Sequence, residues 1–424
     1  MTLIRQTYTL LRQNPLLSTI SILGTAFAIT MIMAIVIVWQ TKYSNLSPEV
    51  NRDRCLYITA LHLQGKPNRT NNSNSMCSAS FMKVCVMPVK SIEACTAYSP
   101  VSAALISLSD GSNRIKVDAV QTDPGFWKVF QFDFISGLGF TEGDRNDKVK
   151  AMVITASIAR KLFGNTEVVG QHILYNREEV RITGVVKDVS LTAKDAYGQI
   201  WIMYPSSEYT VKNSWNFLGD KNIAILARDK NDFPLIKRGI EKQLKDLNAT
   251  LSDAELDIME QPDEIVAHVN HIWSNIGPDM TMIYLQYAIA LGVILLVPSL
   301  NLCGLSNSRM QQRLSELGVR KAFGATRKVL IRQILDENMV LNLLGGILGL
   351  LLSYVAVYAL RTWLFTNNSN IGASGDFSLT MGASFSPVVF LLAFLFCFII
   401  NLLSAGLPAW LATRRPIVDS LNDK

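Results

Sequence analysis

Four long stretches without a charged side chain constrain the fold of this chain more than any other feature. The first runs from Gln13 to Thr41 and would be about 43 Å long as an α-helix, enough to cross the roughly 30 Å apolar core of a bilayer. A signal peptide has an apolar region only about half as long, and this stretch ends at Trp39, a typical interfacial residue. The sequence therefore predicts a retained span here. The other uncharged stretches are 280–308, 338–360 and 377–413.

These stretches predict an α-helical membrane protein with four transmembrane helices and an α+β domain inserted between the first and second spans. Residues 1–41 are expected to form an N-terminal amphipathic helix and the first span, and residues 42–265 the soluble domain. A helical stalk is expected at 262–279 and continues into span two, at about 281–304. The rest of the segment 266–424 is expected to form a cytoplasmic loop (305–337), span three (about 338–360), span four (about 388–411) and a cytoplasmic tail.

The basic residues indicate the orientation of the spans. The formal net charge is +6, and the segment Ser308–Glu337 carries seven of the forty Lys and Arg residues. Arg5 and Arg12 precede the first span, and Arg414 and Arg415 follow the last. Positively charged short segments stay on the cytoplasmic side, so both termini and this segment are predicted to be cytoplasmic. The sequence does not interleave Arg with aromatic residues, so this pattern gives no indication of a nucleic-acid partner.

The soluble region has the alternating pattern of short strands and helices that is typical of an α+β domain. One helix is predicted at Ala156–Phe163, ended by Gly164, and another at Phe233–Leu247, capped by Asp232. The Asn- and Ser-rich segment Gly65–Ser80 is predicted to be a mobile loop. The predicted strands are Cys55–Leu63, Arg114–Gln121, Ala151–Thr155, Val180–Val186, Ile200–Tyr204 and Asn222–Ala227.

No catalytic or metal site is predicted. The chain lacks GxSxG, HExxH and a phosphate-binding glycine loop, and its carboxylates form no evident acid–base pair. His268 and His271 are three residues apart on a predicted helix, where a solvated face is favoured over a metal site because no third ligand is nearby. The soluble region also contains candidates for one or two disulfides, with three possible pairings, at Cys55, Cys77, Cys85 and Cys95.

The segment Ser308–Glu337 has the pattern of a short basic helical hairpin. Apolar residues recur every three or four positions in its first half, as on one face of a helix. Gly324 is expected to turn the chain, because glycine enters left-handed conformations at little cost. Thr326 is expected to cap a second helix. Farther on, Gly345, Gly346 and Gly349 have the spacing that lets helices approach closely in lipid, within one subunit or at a dimer interface.

Residues Glu316 to Thr326 read ELGVRKAFGAT and follow the second of the four predicted spans. This motif and layout resemble the permease subunits of the MacB/FtsX-type ABC transporter superfamily, whose pattern E-[IL]-G-[IV]-R-[KM]-A-x-G-A the segment fits almost position for position. In the soluble region, AMVITASIARKLFGNTEVVG at 151–170 and the stretch 126–137 are similar to elements of MacB-type periplasmic domains. The resemblance covers essentially the whole chain, although Ser420 stands where the closing signature usually has Ala.

The resemblance implies a partner that hydrolyses ATP, because the chain has no GxxxxGK[ST] motif of its own. ATP and Mg²⁺ would then be bound by a separate ABC ATPase subunit, and the chain would need no cofactor. A homodimer or a heterodimer with a related permease is implied, with a periplasmic adaptor and an outer-membrane channel as further partners. The residues implied to contact the ATPase are Arg313, Leu314, Glu316, Leu317, Gly318, Val319, Arg320, Lys321, Gly324, Ala325 and Thr326.

The same resemblance places the chain in the bacterial inner membrane, with its large domain in the periplasm. It implies that ATP-driven movement reaches that domain and drives export or extraction of a peptide, an antibiotic, a lipid or a lipoprotein. In this scheme Leu314, Leu317 and Phe323 stiffen the apolar side of the hairpin. The alternative is a mechanotransmitter or sensor that transports nothing and regulates an envelope hydrolase or a signalling kinase.

Overall fold

The computed structural model describes residues 15–66, 71–146, 150–271, 277–293, 319, 322–365, 391, 394–395 and 398–399. The chain divides into a helical unit, formed by residues up to Gln40 and beyond Tyr284, and an α+β unit that begins at Thr41 and ends at Ile283. The helices are α1 (Pro15–Tyr43), α2 (Ala79–Phe81), α3 (Phe126–Val129), α4 (Glu142–Asn146), α5 (Ala156–Phe163), α6 (Phe233–Thr250), α7 (Ile265–Asn270), α8 (Met280–Val293) and α9 (Arg327–Phe365).

The strands all belong to the α+β unit. They are β1 (Cys55–Ile58), β2 (Leu61–Gly65), β3 (Ser73–Cys77), β4 (Ile92–Tyr98), β5 (Ser102–Leu108), β6 (Ile115–Thr122), β7 (Phe134–Gly137), β8 (Ala151–Thr155), β9 (His172–Tyr175), β10 (Glu178–Val186), β11 (Ile200–Met203), β12 (Leu218–Gly219), β13 (Asn222–Ala227), β14 (Ala254–Asp257) and β15 (Asp263–Glu264). Short 3₁₀ turns lie at Arg52–Arg54, Ser206–Tyr209, Ser214–Phe217 and Lys230–Asp232, and a π-helical turn follows α2 at Met82–Val86.

Two helices of the described chain are long and apolar enough to cross a membrane. Their candidate spans are Ser18–Tyr43 in α1 and Met339–Leu360 in α9, which correspond to the first and third predicted spans. The second predicted span is described only as far as Val293, and α8 is a shorter apolar helix. Apart from five positions, the fourth predicted span lies outside the described residues.

Within the helical unit, α9 packs against α1 through glycines. A Cβ atom at Gly345 would lie 2.7 Å from the Cβ of Thr25, and one at Gly349 would lie 2.6 Å from the carbonyl oxygen of Ala26. The Thr30 hydroxyl donates a hydrogen bond to the Gly349 carbonyl over 3.1 Å. The two backbones therefore approach closely only because these α9 positions carry no side chain.

The α+β unit contains three sheets. The first has the strand order β15-β1-β13-β4 and is antiparallel throughout. The second has the order β7-β10-β8-β11-β6-β5-β9, and β9 also pairs with β10, so this sheet closes on itself. The third, β12-β3-β2-β14, is a smaller antiparallel sheet.

The first sheet is buried on both faces, which explains the uninterrupted apolar sequence of β13. Ile223 and Ile225 pack with α6 and the helical turns at 79–86 in one core. Ala224 and Leu226 point to the other face and join a second core with the aromatic residues around α3. Successive side chains of a strand alternate between faces, so a strand covered on both sides needs apolar residues at every position. A further core fills the closed second sheet and includes α5.

Several predicted elements are confirmed. Ala151–Thr155 and Asn222–Ala227 are strands β8 and β13 with the predicted limits. Ala156–Phe163 is helix α5, which ends at Gly164 in the left-handed conformation (φ 79°). The helix predicted at Phe233 begins there and continues to Thr250.

Two predictions for the α+β region were wrong. The predicted strand Cys55–Leu63 is two strands, β1 and β2, which belong to different sheets. The predicted mobile loop Gly65–Ser80 contains strand β3 and ends in the buried residues Cys77 and Ser80, although residues 67–70 lie outside the described part. Pairing of β3 with β2 and β12 outweighs the weak strand preference of its Asn and Ser residues.

The predicted continuous helical stalk at 262–279 was also wrong. Its first residues form strand β15, α7 is six residues long, and residues 277–279 are not helical. Pro278 lacks a backbone N–H, and the Asp279 carboxylate accepts hydrogen bonds of 3.0 and 3.1 Å from two N–H groups in the first turn of α8. Asp279 thus acts as an N-cap that starts a new helix.

Candidate functional site

A buried ion pair lies where the chain leaves α1 and enters the α+β unit. The side chains of Arg52 and Glu49 are 2% and 1% exposed, and Arg52 Nε donates to Glu49 Oε2 over 2.5 Å. Arg52 Nη1 donates to the carbonyl oxygens of Thr41 and Ser44 at 2.8 and 3.0 Å. The last carbonyls of a helix have no partner within it and carry partial negative charge, so the guanidinium both satisfies and stabilises the end of α1.

Arg52 remains charged in this setting. Burial alone would lower its pKa, but attraction to the Glu49 carboxylate and the hydrogen bond to it outweigh burial, so the pKa is raised. Its Nη2 also donates to the carbonyl oxygen of Thr192 over 3.2 Å. Arg52 therefore connects the end of α1 to a distant loop of the same unit.

Glu49 extends this connection to Asp195. Its Oε1 accepts hydrogen bonds from the backbone N–H groups of Asp195 and Ala196, both at 2.9 Å. The Asp195 carboxylate then accepts from the Tyr98 hydroxyl over 2.8 Å. Each carboxylate is thus held by several donors, as a buried charge requires.

Asp195 also binds His268 on α7. The distance from His268 Nε2 to Asp195 Oδ2 is 3.0 Å, and His268 is 3% exposed. The Tyr57 ring stacks on the imidazole, with centroids 4.0 Å apart. Burial would raise the pKa of Asp195, but His268 and the hydrogen bonds to the carboxylate hold it below its ordinary value. We call Glu49, Arg52, Tyr98, Asp195 and His268 the junction network.

Two further contacts strengthen the side of the network near α7. His271 Nδ1 lies 2.7 Å from Asp263 Oδ2. Asn270 Nδ2 donates to the Tyr43 hydroxyl over 3.3 Å. The α+β unit begins at Thr41 and its last helix before α8 is α7, so polar contacts bring together the chain segments near both of its ends.

The prediction of a solvated face for the two histidines was wrong, because each is buried against a carboxylate of its own. The missed partners are 73 and eight residues away from them in the chain. A signal existed for the shorter pair, since Asp263 and His271 both belong to the segment that approaches span two. Nothing in the local sequence around Asp195 indicates its partner.

Of the segment predicted to contact the ATPase, the structure describes only Val319 and residues 322–326. Gly324 has φ +89°, as expected for a residue that turns the chain, and α9 begins directly after Thr326. Phe323 was expected to stiffen the apolar side of the hairpin. Its side chain is instead 88% exposed and is not packed against other described residues. The following predicted residues lie outside the described part: Arg313, Leu314, Glu316, Leu317, Gly318, Arg320 and Lys321.

The candidate disulfide cysteines are all thiols in the structure. Cys55 packs on one face of the first sheet, whereas Cys77 and Cys85 lie in the core on the other face, and Cys95 packs against that core. The first sheet therefore lies between Cys55 and the other three cysteines. The prediction of one or two disulfides among these residues stays a prediction.

In the chain, the α+β unit lies between α1 and α9, the two described helices that are long and apolar enough to cross a membrane. The chain belongs to the family described as the MacB-like periplasmic core domain, which matches residues 18–243 of its 424 residues. Residues 288–417 match the family described as the FtsX-like permease C-terminal domain. Together these matches identify an ABC transporter permease of the MacB and FtsX type.

Similar proteins include both separate and fused permeases. The uncharacterized ABC transporter permease YknZ of Bacillus subtilis (strain 168) is 22% identical over 374 residues, which are 87% of this chain and 90% of that protein. The pyoverdine export ATP-binding/permease protein PvdT of Pseudomonas syringae pv. syringae (strain B728a) is 25% identical over 232 residues, 54% of this chain and 34% of that protein. This chain therefore matches only about a third of the fused relative.

A solved structure is similar to part of the chain. The extracellular domain of the noncanonic ABC-type transporter YknZ from Gram-positive bacteria covers 47% of this chain and 99% of that domain, at 15% identity and a TM-score of 0.32.

Proposed function

We propose that this chain is the membrane-spanning subunit of an ABC transporter whose ATP is hydrolysed by a separate subunit. Movement of the ATPase would be received at residues 305–337 and passed to the periplasmic domain, where it drives export or extraction of a peptide, antibiotic, lipid or lipoprotein. The proposal includes four spans, cytoplasmic termini, location in the bacterial inner membrane and pairing with an identical or related permease. A periplasmic adaptor and an outer-membrane channel complete the proposed assembly.

The observation that carries the proposal is the continuity of α9. This helix runs without a break from Arg327, three residues after the Gly324 turn, to Phe365. Its 39 residues span about 58 Å, so a displacement of the segment at its start moves the candidate span within it. The glycine contacts would pass that movement to α1, a single helix whose last turn Arg52 binds.

The exposed Phe323 supports contact with a partner at the start of this route. A phenylalanine that is 88% exposed, beside basic residues, is a typical anchor for a pocket on another protein. We expect Phe323→Asp to abolish co-purification of the ATPase in mild detergent, because a charge would replace the apolar anchor. Membrane insertion and the thermal stability of the chain should stay unchanged.

The matched control is Leu235→Asp, which places the same charge at a residue of α6 that is 56% exposed. This variant should retain the ATPase. Equal retention of the ATPase by Phe323→Asp and by the parent protein would contradict docking at this segment.

A further inference from the structure

A small pocket lies at the end of α1, where the last residues of that helix meet the loop at 191–195 and helix α7. Its volume is about 40 Å³, and all of its lining residues belong to the α+β unit. One water molecule needs roughly 10–15 Å³ of such space, so the pocket has room for a group of the size of one phosphate. The lining residues that matter here are Lys42, Leu191, Lys194, Ile265 and Val269.

Two ammonium groups converge on this pocket. Lys42 lies in the last turn of α1, and Lys194 lies in a loop far from it in the chain. Both side chains are half-buried, and neither forms an ion pair with another described residue. A lysine at the end of a span often serves only as an interfacial anchor, but Lys194 is not part of a span. The convergence of the two lysines therefore indicates a site for an anionic group.

The groups of the pocket that would repel an anion already have partners. Glu49 pairs with Arg52, and Asp195 binds His268. The Lys194 ammonium attracts the Asp195 carboxylate at longer range, without a direct ion pair. The carbonyl groups at the end of α1 carry partial negative charge, and Arg52 binds two of them. The two lysines therefore give the pocket an excess of positive charge.

The pocket lies at the level of the lipid headgroups. Helix α1 has 29 residues and is about 43 Å long, close to the roughly 40–45 Å of a bilayer with its headgroup regions. Trp39, one turn before the pocket, is 54% exposed, and tryptophan is enriched at the boundary between apolar core and headgroups. A phosphate of the leaflet at this end of α1 can therefore reach the two lysines.

The remaining side of the pocket is apolar. Leu191 is 4% exposed, and Ile265 and Val269 are one turn apart on α7. A free phosphate ion gains nothing from this wall, whereas the glycerol backbone of a lipid buries apolar surface on it. The ammonium group of a zwitterionic lipid would be repelled by the lysines. We propose that Lys42 and Lys194 bind the phosphate of an anionic phospholipid in this pocket, and that its glycerol backbone packs on α7.

The proposal goes beyond the proposed function, because it requires that α1 cross the bilayer but requires neither the ATPase nor transport. The test uses the full chain, delipidated in mild detergent, and measures bound lipid by native mass spectrometry. The probes are phosphatidylglycerol and phosphatidylcholine with the same acyl chains, and sn-glycerol 3-phosphate as a soluble competitor. We expect phosphatidylglycerol to bind more tightly than phosphatidylcholine. An equal concentration of glycerol 3-phosphate should not displace it.

Variants assign the binding to this pocket. Lys42→Gln and Lys194→Gln should each weaken binding of phosphatidylglycerol about five-fold, the effect of one basic side chain near a membrane surface, and should leave binding of phosphatidylcholine unchanged. Val269→Trp should abolish the preference for phosphatidylglycerol, because the larger side chain fills the pocket while both lysines remain. Lys245→Gln is the matched control, because Lys245 is an exposed lysine of α6 that does not line the pocket.

The proposal is overturned if phosphatidylglycerol binds no more tightly than phosphatidylcholine. Displacement of the lipid by an equal concentration of glycerol 3-phosphate would also overturn it, since the site would then bind a soluble phosphate. The same holds if both glutamine variants keep the parent preference. Thermal unfolding of each variant identifies any that fail to fold. Retention of the ATPase in the same samples reports separately on the proposed function.

Discussion

At the scale of single residues, Asp195 determines how the junction network depends on charge. Its carboxylate receives the Tyr98 hydroxyl, lies 3.0 Å from His268 Nε2 and is almost fully buried. A buried carboxylate loses its hydration, and the hydrogen bonds that it accepts must compensate for that loss. Hydrogen bonds to a charged group are stronger than those to a neutral one, so removal of the charge weakens them.

We expect Asp195→Asn to destabilise the periplasmic domain and to change its response to acid. The pKa of Asp195 is lower in the folded chain, so its carboxylate stabilises the fold above the unfolded pKa of about 3.9. That stabilisation is lost as the pH falls through the lower folded value. The measurement is the free energy of unfolding in urea from pH 7 to pH 3. The variant should be about 2 kcal/mol less stable than the parent at pH 7, because its hydrogen bonds no longer go to a charged group, and the difference should shrink in acid.

The control for this prediction is Asp133→Asn. Asp133 pairs with Lys187 over 3.1 Å, but both side chains are more than half exposed, so the change should cost less than about 1 kcal/mol. Burial raises the pKa of Asp123, so its contribution to the free energy of unfolding increases as the pH falls, opposite to that of Asp195. Asp123 is present in both variant and parent, so its contribution cancels in the difference between their stabilities. A constant difference between Asp195→Asn and the parent across this range would contradict the assignment.

At the scale of elements, the local sequence predicted the helices whose first or last residues are typical of helix ends. Gly164 ends α5 in a left-handed conformation, and Pro234 in the first turn of α6 matches a predicted helix start. The prediction failed where pairing partners are distant. Strand β3 is rich in Asn and Ser and forms because β2 and β12 flank it, which no local pattern reveals.

The contact between α9 and α1 gives a prediction at this scale. Gly349→Leu should separate the two helices, because even a Cβ atom there would lie 2.6 Å from the Ala26 carbonyl oxygen. We expect the variant to insert and to keep its ATPase, while ATP hydrolysis no longer drives export. The measurement compares ATPase activity with export or extraction in the reconstituted complex.

Gly292→Leu is the matched control, because a Cβ atom at this position in α8 meets no atom within 4 Å. It adds the same side chain to another apolar helix and should leave coupling intact. Normal coupling in Gly349→Leu would mean that movement does not pass through this contact.

At the scale of the whole molecule, the α+β unit is linked near both ends by one set of buried contacts. Arg52 binds the carbonyls of Thr41 and Ser44, and Asn270 binds the Tyr43 hydroxyl. His268 binds Asp195, whose backbone N–H donates to Glu49. The junction network therefore ties the first and last segments of this unit together.

This arrangement predicts how the limits of a soluble fragment affect its stability. A fragment of residues 41–271 should be more stable than one of residues 46–271, by about 1–3 kcal/mol, because Arg52 keeps its two carbonyl acceptors. Urea denaturation of the two fragments tests this. As a control, replacement of both Lys150 and Glu178, an exposed ion pair, with Ala in the longer fragment should have little effect. Equal stability of the two fragments would show that Arg52 does not depend on the end of α1.

The sequence by itself determined the membrane-spanning character, the inserted soluble domain and the family. These properties depend on the length of uncharged runs and on short contiguous motifs, which are local. Only the tertiary structure decided the junction network and the identity of α1 as the helix that packs on the glycines of α9. Asp195 and His268 are 73 residues apart, and Thr30 and Gly349 are 319 apart. Their partnerships arise from how buried surfaces pack, and a local pattern indicates that a surface is buried but not which distant segment covers it.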